Sequence, residues 1–343
     1  MNLKQLSHQL GLSQTTVSRA LNDYPEVSEE TRKRVKLAAR KHDYRPNTRA
    51  TRLATGRAMT IGHVIPVNST EAFNPIFGEF IAGANIAYSN RGYELLLSMV
   101  KEDSEESIYR EIVSKGSVDG FIVHAPRVND SRIKLLQELR LPFVIHGRDN
   151  SNTSAYSWID MNNRRAFYQA TKLLIDLGHK HICLVNGRET LNFALRRRQG
   201  YVDALGDENI SLNPALMFSG DLTETNGYSA ATQALALSVP PTAFLVSSYV
   251  GALGVRRAIH NAKLEVGSDV SVIIHDDELS YFQNYGDIPQ FTATRSSVRD
   301  AGERAATMLL DIIDQPDKAP ITELLEAPLT IGASTGPVKN PQQ

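Results

Sequence analysis

Ser13-Gln14-Thr15-Thr16-Val17-Ser18-Arg19-Ala20-Leu21-Asn22 spells a short helix with two chemistries. Its back is apolar (Val17, Leu21), and its leading turns carry Gln, two Thr, Ser and Arg. Gly11 precedes it, and Ser13 stands where a helix N-cap belongs. A helix that only closes a core does not gather these hydrogen-bonding side chains, whereas one that reads a surface does. Taken alone, the ten residues also fit an ordinary surface helix, so the flanks must decide.

Upstream, Leu3, Leu6 and Leu10 recur at helical spacing and the segment stops at Gly11. Two short helices joined by a tight glycine turn make a helix-turn-helix, whose second member enters a major groove. Downstream, Ser28-Glu29-Glu30-Thr31 opens a third helix with Val35, Ala38 and Ala39 on one face and six basic residues elsewhere. Tyr44-Arg45-Pro46-Asn47 ends the bundle, because proline disfavours helix in the residue before it.

The net charge of −1 conceals a division. Residues 1–57 carry +7 and the rest of the 343-residue chain −8. A small basic head on a mildly acidic body points to a nucleic-acid-binding module joined to a unit of another purpose. The length implies two or three compact units. No apolar run approaches a membrane span and no charged-then-apolar leader opens the chain, so cytoplasmic residence is expected. The single Cys183, within Ile182-Cys183-Leu184-Val185, excludes an intramolecular disulfide and reads as a buried structural thiol.

The ordered set Leu12-Ser13-Gln14-Thr15-Thr16-Val17-Ser18-Arg19-Ala20-Leu21-Asn22, Val27-Ser28, Thr31-Arg32 and Tyr44-Arg45-Pro46-Asn47 resembles the DNA-binding head of the lactose/galactose repressor family of bacterial transcription regulators. The resemblance implies that Gln14 and Thr15 choose operator base pairs, that Arg19 contacts a base, and that Ser13, Thr16, Ser18 and Asn22 lie along the same DNA-facing surface. Glutamine can pair with adenine and arginine with guanine in the major groove, while hydroxyls position the helix on phosphates. Residues 47–57 match the family's hinge helix, with Asn47, Ala50, Leu53 and Ala54 toward the minor groove and Leu53 as the wedge. A segment this short is marginal as a free helix, and a flexible linker with Leu53 tucked against the body is the alternative.

From residue 58 onward, apolar runs alternate with helix-length stretches. Ile61–Ile65, Leu95–Leu97, Gly120–Val123 and Phe143–Ile145 read as buried parallel strands, and the pattern restarts with Ile182–Val185, Ala243–Val246 and Val270–Ile274. The expected fold is an all-α helix-turn-helix head plus an α/β body of two doubly wound lobes of periplasmic-binding-protein type. The expected divisions are a DNA-binding domain at 1–46, a hinge at 47–57 and an effector-binding and dimerisation domain at 58–343. Its first lobe takes about 58–160 and 292–325, its second about 161–290 and 326–335.

Phosphate-cradling Gly-x-Gly-x-x-Gly and Gly-x-x-x-x-Gly-Lys motifs are absent, as are His-Glu-x-x-His and Gly-x-Ser-x-Gly. The body therefore reads as a binder with no cofactor or metal, and not as an enzyme. His275-Asp276-Asp277 fits a polar pocket lining better than an acid/base or metal cluster. The family resemblance continues through the body. It implies an effector site of Phe73, Asn74 and Phe77 from the first lobe, Arg197 from the Arg-x-x-Gly-aromatic pattern, and Asp276. His124, His146 and Arg148 follow apolar strands that face the same cleft, and Ser248-Tyr249 replaces the family's usual Asn-Asp. Arg196 and Arg198 read as surface charges, and Phe77 as either core or stacking platform. Gly56-Arg57-Ala58-Met59 and His146-Gly147-Arg148 resemble regulators of α-glucoside use, so the resemblance implies a repressor governed by a small sugar.

One head covers one half-site, so a homodimer on a palindromic operator is expected, with the first lobe supplying most of the switchable interface. The C-terminal stretch carries no leucine heptad for a tetramer clamp. A transporter's solute-binding protein would match the body architecture but leaves the basic head without a role. A sugar-modifying enzyme with an accessory basic domain would show itself by turning over an α-glucoside.

Overall fold

The computed structural model describes residues 1–21, 24–42, 44, 56–66, 74–101, 104–149 and 155–339. They fall into two units, Met1–Met59 and Thr60–Gln343. In the first, Asn2 and Gln5 exchange side-chain-to-backbone bonds at 2.9 Å, a reciprocal cap that starts helix α1 (Leu3–Leu10). Gly11 ends α1 at φ 63°, a left-handed conformation that costs glycine nothing. Ser13 Oγ accepts from the Thr16 amide at 3.0 Å and opens α2 (Gln14–Leu21), and Ser28 caps α3 (Glu29–Lys41). Leu6, Val17, Ala20 and Val35 are fully buried between the three helices. Ala20 thus takes the central place expected of Leu21, which is partly buried beside it.

The second unit holds two six-stranded sheets. The first has β1 (Thr60–Pro66), β2 (Glu94–Val100), β3 (Gly120–His124), β4 (Phe143–His146), β5 (Ser157–Met161) and β11 (Thr322–Leu325), all parallel in the order β11-β5-β4-β3-β1-β2. The second has β6 (Ile182–Asn186), β7 (Met217–Ser219), β8 (Ala243–Val246), β9 (Ser271–Asp276), β10 (Thr292–Arg295) and β12 (Leu329–Thr330), in the order β12-β10-β9-β8-β6-β7 with only β12 antiparallel. Phe121, Ile122 and Val123 in one sheet, and Val272, Ile273 and Ile274 in the other, are buried at every position, because both faces are covered. In the first lobe α4 (Pro75–Asn90) packs on α11 (Val298–Asp314), and α5 (Glu105–Ser114) on α6 (Ser131–Leu139). In the second, α7 (Asn163–Asp176) packs on α8 (Asn192–Asp207), and α9 (Glu224–Leu235) on α10 (Tyr249–Asn261). The α4–α11 contact is backbone to backbone: a Cβ on Gly83 would lie 1.9 Å from the Arg299 carbonyl oxygen, and one on Gly302 2.1 Å from that of Phe80.

The lobe boundary differs from the expected one. Thr292–Arg295 pairs in parallel with β9, from Thr292 against Ile273 to Arg295 against Asp276, so it belongs to the second lobe and the chain crosses after Arg295. The strand lacks an apolar run because two threonines occupy its buried positions, and tertiary partners satisfy their hydroxyls: Thr294 Oγ1 with His275 Nδ1 at 3.0 Å, and Thr292 Oγ1 with Thr335 Oγ1 at 2.7 Å. The other crossings follow Met161 and Leu325. No helix among the described residues is long and apolar enough to cross a membrane.

Candidate DNA-reading face and effector cavity

On α2, Val17 and Ala20 fix the helix to its neighbours and leave the opposite face outward. Gln14, Thr15 and Arg19 are exposed, with Thr16 and Ser18 half-buried between them. Ser13, itself exposed, shares a 2.8 Å bond between its Oγ and Thr16 Oγ1. Gln14 and Thr15 occupy the first turn and Ser18 the next, so the three lie on one stripe three to four residues apart. This is the geometry in which the leading turns of a helix meet base edges. Asn22, Asn47, Ala50, Leu53, Ala54 and Phe73 lie outside the described residues.

The carboxyl ends of both sheets border a cavity of about 520 Å³. In doubly wound sheets this is where ligands collect, and the volume falls in the ordinary range for small-molecule sites. Ile65, Phe77, Phe80, His124 and His146 line it from the first lobe, with Asn74 at the N-cap of α4. Phe80 meets His124 edge-on at 4.6 Å and lies tilted against His146 at 4.5 Å, and Phe77 meets His124 edge-on at 5.2 Å. Burial holds His146 neutral, its pKa lowered to about 4, and pushes His124 well below its usual value for the same reason.

From the second lobe come Asn163, Phe193, Arg197 and Asp277. Arg197 Nε donates to Asn163 Oδ1 and Nη1 to the Ser247 carbonyl, both at 2.7 Å, and its guanidinium lies 5.0 Å from the Phe167 and Phe193 rings. Both hydrogen-bond partners are neutral, and burial lowers its pKa to about 10. Asp277 Oδ1 lies 3.4 Å from His275 Nε2, while Oδ2 is buried without a hydrogen-bond partner. Burial lowers the His275 pKa, so that ring does not neutralise the carboxylate at pH 7. Arg197 and Asp277 therefore enter the cavity as opposed charges held by neutral groups.

Four expected effector residues stand elsewhere. Asp276 does not line the cavity: it accepts from the Glu278 amide at 2.9 Å, lies 3.8 Å from Arg295, and burial raises its pKa. Arg148 donates to Asp160 at 2.9 Å and lies over Trp158. Ser248 caps α10 through the Gly251 amide, and Tyr249 stacks on Phe282 in the core. Arg196 is not a surface charge. It is buried, donates to the Arg148 carbonyl at 2.5 Å and lies 3.3 Å from Asp160, which ties α8 to the first lobe. Arg198 is exposed and pairs with Glu189 at 2.8 Å. Nearby, Asn192 donates to the carbonyls of Pro126 and Arg127, and on another side Glu79 of α4 accepts from the Ser280 amide at 3.0 Å. Sequence reasoning missed Asp277, Asn163 and Phe193. The Asp276-Asp277 pair was visible, but which member turns inward depends on where β9 ends.

Residues 2–47 match the model of the bacterial regulatory proteins of the lacI family, and residues 171–335 match a periplasmic binding protein-like domain. The chain is 44% identical over 337 residues to the HTH-type transcriptional regulator AglR of Rhizobium meliloti, covering 98% of this chain and 95% of that one. It belongs to the lacI family. It is a DNA-binding transcriptional regulator, with an N-terminal helix-turn-helix and a C-terminal two-lobed body. RafR of Escherichia coli, another HTH-type transcriptional regulator, is 32% identical over 277 residues, 80% of this chain and 82% of that protein. Among solved structures, the complex of the transcriptional regulator CelR with cellobiose matches with a TM-score of 0.72 at 26% identity, over 97% of this chain and 99% of that one.

Proposed function

We propose that this regulator is a cytoplasmic repressor that binds a palindromic operator as a homodimer and is governed by an uncharged oligosaccharide, of α-glucoside type, held between the lobes of its body. The observation that carries the effector class is the pair Arg197 and Asp277, side chains of opposite sign that line a common cavity and whose nearest partners are neutral groups. A sugar hydroxyl can accept from arginine and donate to a carboxylate, and each hydrogen bond to a charged group contributes about 1.5–3 kcal/mol. A sugar phosphate would bring its charge against Asp277. The aromatic wall of Phe77 and Phe80 suits the apolar face of a sugar ring, and the volume suits more than one ring.

Two further features support the assembly. Strand β2 is a sheet edge with Leu97 and Met99 exposed, Ile86 of α4 is exposed as well, and an edge of this kind is ordinarily covered. Gln14, Thr15 and Arg19 would read bases in the major groove, and the hinge residues around Leu53 would enter the minor groove. The effector can shift operator affinity only by binding the two states unequally. Arg197→Ala and Asp277→Asn are each expected to keep operator binding, measured by fluorescence anisotropy with the native promoter fragment, while abolishing its response to maltose, trehalose or sucrose. A normal response in both variants would remove the assignment.

A further inference from the structure

Behind the first-lobe wall lies a hydrogen-bond chain that ends at the cavity. His63, fully buried on β1, is bonded through both nitrogens: Nδ1 with His124 Nε2 at 2.9 Å, and Nε2 with the Tyr88 hydroxyl at 2.9 Å. Tyr88, on α4, is also fully buried. His124 lines the cavity, and its Nδ1 makes no hydrogen bond within the described residues.

A neutral imidazole has one N–H and one bare nitrogen, so the chain has two arrangements. In the first, the Tyr88 O–H donates to His63 Nε2, His63 Nδ1–H donates to His124 Nε2, and His124 Nδ1 carries a proton toward the cavity. In the second every bond is reversed: His124 Nε2–H donates to His63, His63 Nε2–H donates to the Tyr88 oxygen, and His124 Nδ1 is bare. The reversed chain leaves the Tyr88 proton without an acceptor in a site closed to water, and an unmade buried bond is costly. The first arrangement pairs the Tyr88 and His63 protons and leaves the last one, on His124 Nδ1, free for a ligand in the cavity that His124 lines. Burial keeps the rings neutral, as the His63 pKa of about 3 indicates.

We propose that Tyr88 and His63 are positioning residues that fix His124 as a hydrogen-bond donor to the effector through Nδ1–H, so that the first lobe selects ligands with an acceptor oxygen, a sugar hydroxyl or ring oxygen, at that point. The proposal rests on reading the cavity as a sugar site. Phe80 and Phe77 hold the His124 ring in place, and the tyrosine hydroxyl decides which of its nitrogens is protonated.

The test uses the full chain labelled with ¹⁵N-histidine, whose ring nitrogens report protonation directly at pH 7 without ligand. His124 is expected to show a protonated Nδ1 and a bare Nε2. Tyr88→Phe, which keeps the ring and removes only the hydroxyl, is expected to move a sizeable part of His124 to the opposite form. Calorimetry with maltose, trehalose and sucrose should then show the bound sugar weakened roughly three- to ten-fold in Tyr88→Phe, the scale of one ordinary hydrogen bond. A bare Nδ1 in the parent protein overturns the proposal, as does an affinity within two-fold of the parent when the tautomer has shifted. If the parent binds none of the three sugars, the sugar reading falls, while the spectra still decide the direction of the chain.

Discussion

Acidification should destabilise the first lobe through its buried histidines, and His146 allows the effect to be isolated. Its pKa is lowered to about 4 by burial, against about 6.5 in an unfolded chain. Between those values the unfolded state binds the proton and the folded state does not. Stability is therefore full above about pH 6.5 and is lost as the pH falls toward 4, where the loss levels off. At pH 5 the difference is about 1.5 pH units of linkage, or about 2 kcal/mol at 1.36 kcal/mol per unit. Asp160 and Asp276, whose carboxyls burial raises, act in the opposite direction over part of the same range, so the parent protein alone does not separate the terms. His146→Phe does. It retains a ring beside Phe80, and the His146 side chain makes no hydrogen bond within the described residues for the change to break. Trp158, the chain's single tryptophan, lies on β5 of the same sheet and reports unfolding of this lobe. Urea unfolding followed by its emission at pH 7 and pH 5 should show the parent losing about 2 kcal/mol more than the variant. Equal losses, within about 0.5 kcal/mol, would show that His146 does not stay neutral in the folded protein and would refute the reasoning.

The remaining predictions concern packing, operator choice and assembly. Gly83→Ala gains up to about 1 kcal/mol of helix propensity but drives a methyl into the Arg299 carbonyl, where overpacking costs about 1–3 kcal/mol. The melting temperature should fall, whereas Gly206→Ala on α8, which meets nothing within 4 Å, should raise it. Exchanging Gln14 or Thr15 should change which operator is preferred in a binding-site selection while the salt dependence of binding stays the same, because base contacts and not phosphate contacts are altered. Leu97→Lys with Met99→Lys should convert the proposed dimer to a monomer in light scattering and weaken operator binding at least ten-fold; a dimer mass kept in the variant would remove β2 as its surface.

The head was legible because each of its signals is local: the Gly11 stop, the Ser13 cap, the Ser28 start and the Leu6 and Val17 packing positions fall within short windows. Buried parallel strands such as Phe121-Ile122-Val123 announce themselves as apolar runs. Helix α11 was also readable, since Val298, Ala301, Ala305, Leu309 and Ile313 recur at helical spacing, and it was overlooked. Strand β10 was not readable, because Thr292 and Thr294 are buried only by virtue of partners on other segments.

The cavity was harder for a reason peculiar to strand ends. Along a strand, alternation tells which side chains share a face, but a site of this kind is built where the strand turns into a loop and alternation stops. At β9 the register sets Asp276 opposite Arg295, which holds its carboxylate in the sheet layer and leaves the next residue, Asp277, to turn toward Arg197's side of the cavity. At β4 the strand ends at His146, which lines the cavity, and two residues on Arg148 is held by Asp160 and Trp158. The one-residue error moves the contact from one aspartate to its neighbour and leaves the chemistry the same, a carboxylate and an arginine bordering one cavity. The class of ligand is therefore more securely read from a sequence than the atoms that hold it, because class depends on which residue types gather at the strand ends and contact depends on their phase.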